Sequence, residues 1–144
     1  MNKIAKETGE LYSLLTSELN SISDLIYASV LLADTHSSLS SLAEAIAESE
    51  LTHYRLLSHI IRSQGYDPKI SLRAKNNFKV KERSDLYELF RLIAKEKKER
   101  AEKYERLSHS SLFCSKCSCT LRSIADDERS HCEMILCEID KMTK

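Results

Sequence analysis

The chain has 144 residues, enough for one compact domain spanning 1–144 with a buried core. Lys plus Arg and Asp plus Glu balance at 22 each, so no net field draws the chain to nucleic acid or to an anionic membrane. Two glycines and one proline leave little punctuation for strands, which excludes most β architectures and makes an all-α chain the expectation.

No apolar run approaches the ~20 residues that cross a bilayer. The start, Met1 to Glu7, lacks the apolar segment of an export signal. The expected compartment is therefore the cytoplasm. Five cysteines, an odd number in a chain read as intracellular, argue against a disulfide framework.

In chain order, the spacing predicts a first helix from about Thr8 to Thr35. Leu11, Leu14, Leu15, Glu18, Ile22, Leu25, Ser29, Leu32 and His36 fall on one stripe. Glu18 lies near the middle of that stripe, where a carboxylate must be protonated, paired or metal-bound. Ser37, Ser38 and Ser41 offer caps, with Ser41-x-x-Glu44 as a capping box, for a second helix from about Ser38 to Gln64. Its inward stripe is Leu39, Leu42, Ala43, Ile46, Glu50, His53, Tyr54, Leu57 and Ile61, with His59 on the outside. Gly65 is the expected C′ residue and Pro68 marks the break.

From Tyr66 to Arg83 the chain is basic (Lys69, Arg73, Lys75, Lys79, Lys81, Arg83) and without a clear period. It reads as a solvated crossover connection rather than a phosphate patch. The third helix starts near Ser84, with Asp85-x-x-Glu88 as a second capping box, and turns Leu86, Leu89, Phe90, Ile93, Ala101, Tyr104 and Leu107 inward. On its projection Lys97 and Arg100 fall closest to the stripe's centre, Glu96 at the edge and Glu99 further round. The turn to the fourth helix falls between His109 and Ser115, with Ser115 or Ser118 as caps. That helix carries Leu121, Ile124, Ala125, Glu128, His131, Cys132, Ile135, Ile139 and Met142 inward.

Two motifs carry chemistry. Glu50-Leu51-Thr52-His53 and Glu128-Arg129-Ser130-His131 are both Glu-x-x-His on helices, so each aims one carboxylate and one imidazole at a common point. With Glu18 they make five donors, and carboxylates with imidazoles suit a pair of iron or manganese ions in a bundle core. Tyr54 and Asp127 are candidates to orient the ligands.

This arrangement resembles the ferritin-like superfamily, in particular rubrerythrin-like and manganese-catalase-like small bundles. The likeness is carried by Ser17-Glu18-Leu19-Asn20-Ser21-Ile22, by Ile46 to Tyr54, and by Ile124 to His131, and covers nearly the whole chain. It implies an antiparallel four-helix bundle with a long crossover between helices two and three. It also implies a dinuclear iron or manganese site with Glu18, Glu50, His53, Glu128 and His131 as ligands. Members of the superfamily usually carry a Glu seven residues before an inward Tyr on the third helix. Counting back from Tyr104, this chain has Lys97, with Arg100 where a small residue is usual. Either helix three turns Glu96 or Glu99 to the site, or Lys97 replaces one metal by a salt bridge to Glu18 or Glu128. A Glu from helix three is the expectation taken forward.

The function so implied is a non-haem di-metal oxidoreductase of peroxidase or catalase type, acting on peroxide or oxygen in oxidative-stress defence. A homodimer is the expected assembly, and the sequence does not identify the electron donor. Two alternatives stand beside it: a metal-binding or storage protein without turnover, and a degenerate bundle with an altered metal site.

The thiols Cys114, Cys117, Cys119 and Cys132 keep three readings open. Cys132, Cys114 and Cys117 read as small buried hydrophobes; or Cys114, Cys117 and Cys119 form a zinc or cluster site with Cys132 or His109; or the thiols are redox-active.

Overall fold

The computed structural model describes residues 2–70 and 83–143. Among these residues the chain is all-helical: α1 (Lys3–Leu32), α2 (Ser37–Ser63), α3 (Arg83–Ser108) and α4 (Ser115–Thr143), packed as a helical bundle without strands. None of the four is long and apolar enough to cross a membrane. Arg73, Lys75, Lys79 and Lys81 of the basic connection lie outside the described residues.

The helix ends follow local chemistry, with departures from expectation. α1 begins five residues before Thr8, because the side chain of Asn2 caps it by accepting the Ala5 N–H at 2.8 Å. Its other end stops at Leu32, where the N–H groups of Thr35 and His36 turn back to the Leu32 carbonyl.

The serines expected to cap α2 lie inside it. His36 takes the N-cap position without a side-chain cap bond, and Ser41 is an exposed helical residue. Ser40 instead spends its hydroxyl on the neighbouring helix, donating to the Ser29 carbonyl at 2.7 Å.

Gly65 closes α2 as expected. At φ 85°, its N–H reaches the Arg62 carbonyl at 2.9 Å and the Tyr66 N–H reaches that of Ile61 at 3.3 Å, a Schellman closure. Pro68 follows it. At α4 neither Ser115 nor Ser118 caps. Cys114 does, accepting the Ser118 N–H on its carbonyl at 2.9 Å.

The core divides into two apolar layers. One gathers Leu25, Ala28 and Leu32 with Leu39, Ala43 and Ile46, Leu89, Phe90 and Ile93, and Ile135 and Ile139. The other gathers Leu11, Leu14 and Leu15 with Leu57, Ile60 and Ile61, Tyr104 and Leu107, and Leu121 and Ile124. Each fully buried Leu or Ile contributes roughly 1.5–3 kcal/mol by leaving water. Between the layers, at one level of all four helices, sit Glu18 and Ser21, Glu50 and His53, Lys97 and Arg100, and Glu128, all buried. A polar layer therefore separates the two apolar ones.

Candidate metal centre

Each member of this polar layer is placed by the apolar positions one turn away on its own helix. Leu14 and Leu15 with Leu25 fix the rotation of α1 and bring Glu18 and Ser21 inward. On α3, Ile93 and Ala94 with Ala101 and Tyr104 do the same for Lys97 and Arg100. Glu18, Glu50, Lys97 and Glu128 have no exposed surface, and Arg100 is 3% exposed.

The two cations of α3 bind the carboxylates of the other helices. Lys97 Nζ donates to Glu50 Oε1 and lies 3.5 Å from Glu128 Oε2. Arg100 Nη2 donates to Glu50 Oε1 at 2.9 Å and to Ser21 Oγ at 3.2 Å. Its Nε donates to Glu128 Oε2 at 3.2 Å, and its Nη1 to Ser17 Oγ at 3.1 Å. Ser21 completes the contact by donating to Glu50 Oε1 at 2.9 Å.

His53 bridges the remaining acids. Its Nδ1 lies 3.1 Å from Glu128 Oε1 and 3.9 Å from Glu18 Oε1, while its Nε2 lies 2.9 Å from Asp127 Oδ2. Tyr104 donates its hydroxyl to Glu18 Oε1 at 2.8 Å.

The two neighbouring carboxyls are driven apart in acidity. Burial and the nearby Glu128 push Glu18 up to about 8. Burial would also raise Glu128, but its hydrogen bond to His53 and the charges of Arg100 and Lys97 hold it down at about 2. At neutral pH Glu18 thus keeps a proton and Glu128 is an anion. Burial opposes the charged form of His53, yet its hydrogen bonds to Glu128 and Asp127 raise it above its ordinary value. Burial and Lys97 lower His131 to about 4. Burial and Glu18 push the Tyr104 phenol well above its usual range, so it stays a donor.

Glu18, His53 and Glu128 bring three ligand atoms within 4.8 Å of one another, the arrangement that can hold one cation. Glu18 Oε2, Glu50 Oε2 and His131 Nδ1 are buried with no hydrogen-bond partner among the described residues. His131 stands outside the three-ligand group, its ring stacked on that of His53 at 6.1 Å between centroids.

Helix three supplies no carboxylate. Glu99 is exposed and Glu96 only half-buried. Both line a surface cleft of ≈ 410 Å³ that also touches Ser13, Asn20 and Arg100. Turning either glutamate inward would rotate Ile93, Ala101 and Tyr104 out of the core, a loss of several kcal/mol.

Asp127 does touch a ligand candidate, through His53. Tyr54 packs against the apolar layer around Leu57 instead. Ser17 and Ser21, partners of Arg100, were not singled out in the sequence. Ser21 could have been, because it lies three residues after Glu18 on the same face.

The donor set suits one cation better than two. A second cation sharing Glu50 and Glu128 would lie beside the Lys97 ammonium. Two unit charges 4 Å apart repel by ~4 kcal/mol at an effective dielectric of 20, and a dication about doubles that. One ion at Glu18, His53 and Glu128 requires Glu18 and His53 Nδ1 to release their protons, and shares Glu128 with Arg100 and Lys97 through its other oxygen, Oε2.

The thiols do not form a single group. Cys114 and Cys119 are exposed rather than buried, Cys117 is partly buried, and Cys132 lies in the apolar layer with Ile135. The 18 residues of α4 that separate Cys114 from Cys132 rise about 27 Å, so Cys132 cannot join the others.

No family model matches this chain, and neither the curated proteins nor the solved structures contain a match to it.

Proposed function

We propose that the chain is a ferritin-like antiparallel four-helix bundle, its crossover between α2 and α3, that binds one divalent transition-metal ion at Glu18, His53 and Glu128. Lys97, with Arg100, occupies the place of the second ion in the dinuclear pattern. The observation that carries this reading is the buried three-ligand group with the unpartnered Glu18 Oε2 beside it.

The surrounding residues support it. His53 Nε2 donates to Asp127, so Nδ1 is the nitrogen that would bind an ion, once the proton it shares with Glu128 has left. Tyr104 orients Glu18 through Oε1 and leaves Oε2 available. Mixed carboxylate and imidazole donors suit iron(II), manganese(II) or zinc. Bound iron or manganese would supply the one-electron chemistry towards peroxide or oxygen that the resemblance implies.

A second reading rests on the ion pairs themselves. Lys97 and Arg100 already neutralise Glu50 and Glu128, as expected of a metal-free bundle kept as a structural module.

The test is anaerobic titration of the chelator-stripped protein with iron(II) and manganese(II), followed by calorimetry and metal analysis. The expected result is one equivalent for the wild type, none for Glu18→Gln and two for Lys97→Glu. Two equivalents in the wild type would refute the single-ion reading. No binding, with no change in melting temperature, selects the metal-free module.

A further inference from the structure

At the far end of α4 from the buried centre, about 20 Å along the helix from Glu128, lies Cys114-Ser115-Lys116-Cys117. Cys114 is the cap residue, and its Sγ accepts the Cys117 N–H at 3.4 Å, the bond a cap side chain makes. Residues three apart on a turn have Cβ atoms ~5–6 Å apart, and a disulfide holds its Cβ atoms ~3.5–4.5 Å apart. A bond between them therefore needs the first turn to close by about 1–2 Å.

The two thiols are not equivalent. Cys114 is exposed, whereas Cys117 is partly buried against the layer of Leu57 and Leu121. The backbone and thiol of Cys117 hold the Cys114 thiol below its ordinary value, and burial raises Cys117. An accessible thiol that ionises more readily, next to a shielded one, is the division of labour between an attacking and a resolving cysteine.

We propose that Cys114 and Cys117 form a redox-active dithiol that exchanges with the disulfide of a partner molecule, Cys114 attacking and Cys117 resolving. Cys114 Sγ attacks one sulfur of the partner disulfide. That bond breaks, and the leaving thiolate takes a proton. Cys117 then gives its proton to solvent and attacks Cys114 Sγ, releasing the partner's second sulfur as a thiol. The two cysteines are oxidised to one disulfide, and the partner disulfide is reduced to two thiols by the same two electrons. The reverse exchange restores the dithiol.

The full chain is tested with glutathione disulfide and, in a second arm, with insulin. Cysteine occupancy is mapped by alkylation and mass spectrometry. The expected results are an internal Cys114–Cys117 disulfide, Cys114 alkylation about tenfold faster than that of Cys119 at pH 7, and a trapped glutathione adduct on Cys114 in Cys117→Ser. Serine is a good cap, so Cys114→Ser should melt as the wild type does and lose the exchange. Exchange with glutathione alone assigns a low-mass partner, and reduction of insulin as well assigns a protein one. Three results overturn the proposal: no Cys114–Cys117 disulfide in either arm, Cys114 alkylation within about twofold of Cys119, or zinc held by the pair through chelation.

Discussion

Lys97→Met removes the ammonium from the polar layer while keeping a chain of similar length. Lys97 is fully buried against Glu50 and Glu128, so the change leaves two carboxylates short of one counter-charge. Breaking one side of a buried pair costs about 3–5 kcal/mol. Arg100 still reaches both acids, at 2.9 Å to Glu50 and 3.1 Å to Glu128, which sets the expectation at the lower end, about 3 kcal/mol. For a domain of this size that corresponds to a melting point lower by roughly 10 °C.

The same logic predicts a coupling. Glu50→Gln keeps an oxygen for Arg100 and Ser21 but removes the charge that Lys97 neutralises. Lys97→Met with Glu50→Gln should therefore cost about 2 kcal/mol less than the sum of the single changes. Urea unfolding at pH 6.5 with chelator present measures all four proteins. A loss below about 1 kcal/mol in Lys97→Met, or no coupling, would refute the claim that this ion pair stabilises the polar layer.

Two further outcomes follow from the same structure. Glu18, raised from 4.5 to about 8, holds a proton in the folded chain that the unfolded chain gives up, so its contribution is full below pH 4.5 and is lost as pH climbs to about 8. His131, lowered from 6.5 to about 4, acts oppositely: its contribution is present above pH 6.5 and is lost as pH falls towards 4. Urea melts of the chelated protein should be nearly level between pH 4.5 and 6.5, then weaken by about 2 kcal/mol by pH 8. Glu18→Gln should remove most of that decline, and a wild type whose stability rises over the same interval would contradict the assignment. Gly65→Ala, at φ 85° with no atom within 4 Å of the added Cβ, meets only the backbone cost of about 1 kcal/mol. A thermal melt unchanged by Gly65→Ala would show that the end of α2 relaxes freely.

Much of the centre was legible because helical periodicity reports direction. The stripes placed Glu18, Glu50, His53 and Glu128 inward, and they also placed Lys97 and Arg100 there. The error was to expect a glutamate from α3 against that projection, because the resemblance called for one. Partnership was less legible. A wheel gives the side a residue faces but not its reach, so the contact of Arg100 with Ser17 and Ser21, some 80 positions earlier, had no local signal. Caps failed for a related reason. Several serines before α2 compete for one role, and Ser40 finds a better acceptor in the neighbouring helix.

The polar layer bears on how the bundle finds its alignment. α1 packs mainly on α2 and α3 mainly on α4, so the chain is two helix pairs with thinner apolar contact between them. Lys97 to Glu50, Arg100 to Glu50 and Ser21, His53 to Glu128, and Tyr104 to Glu18 all cross from one pair to the other. Sliding one pair by a single turn, about 5.4 Å, would bring Lys97 to the level of Ile46 or Tyr54 and leave Glu18 and Glu50 unmatched, while Glu128 keeps Lys97 and Arg100 within its own pair. Apolar surface alone would tolerate such a slip. The charged layer therefore acts as the index mark by which the two halves dock at one level only.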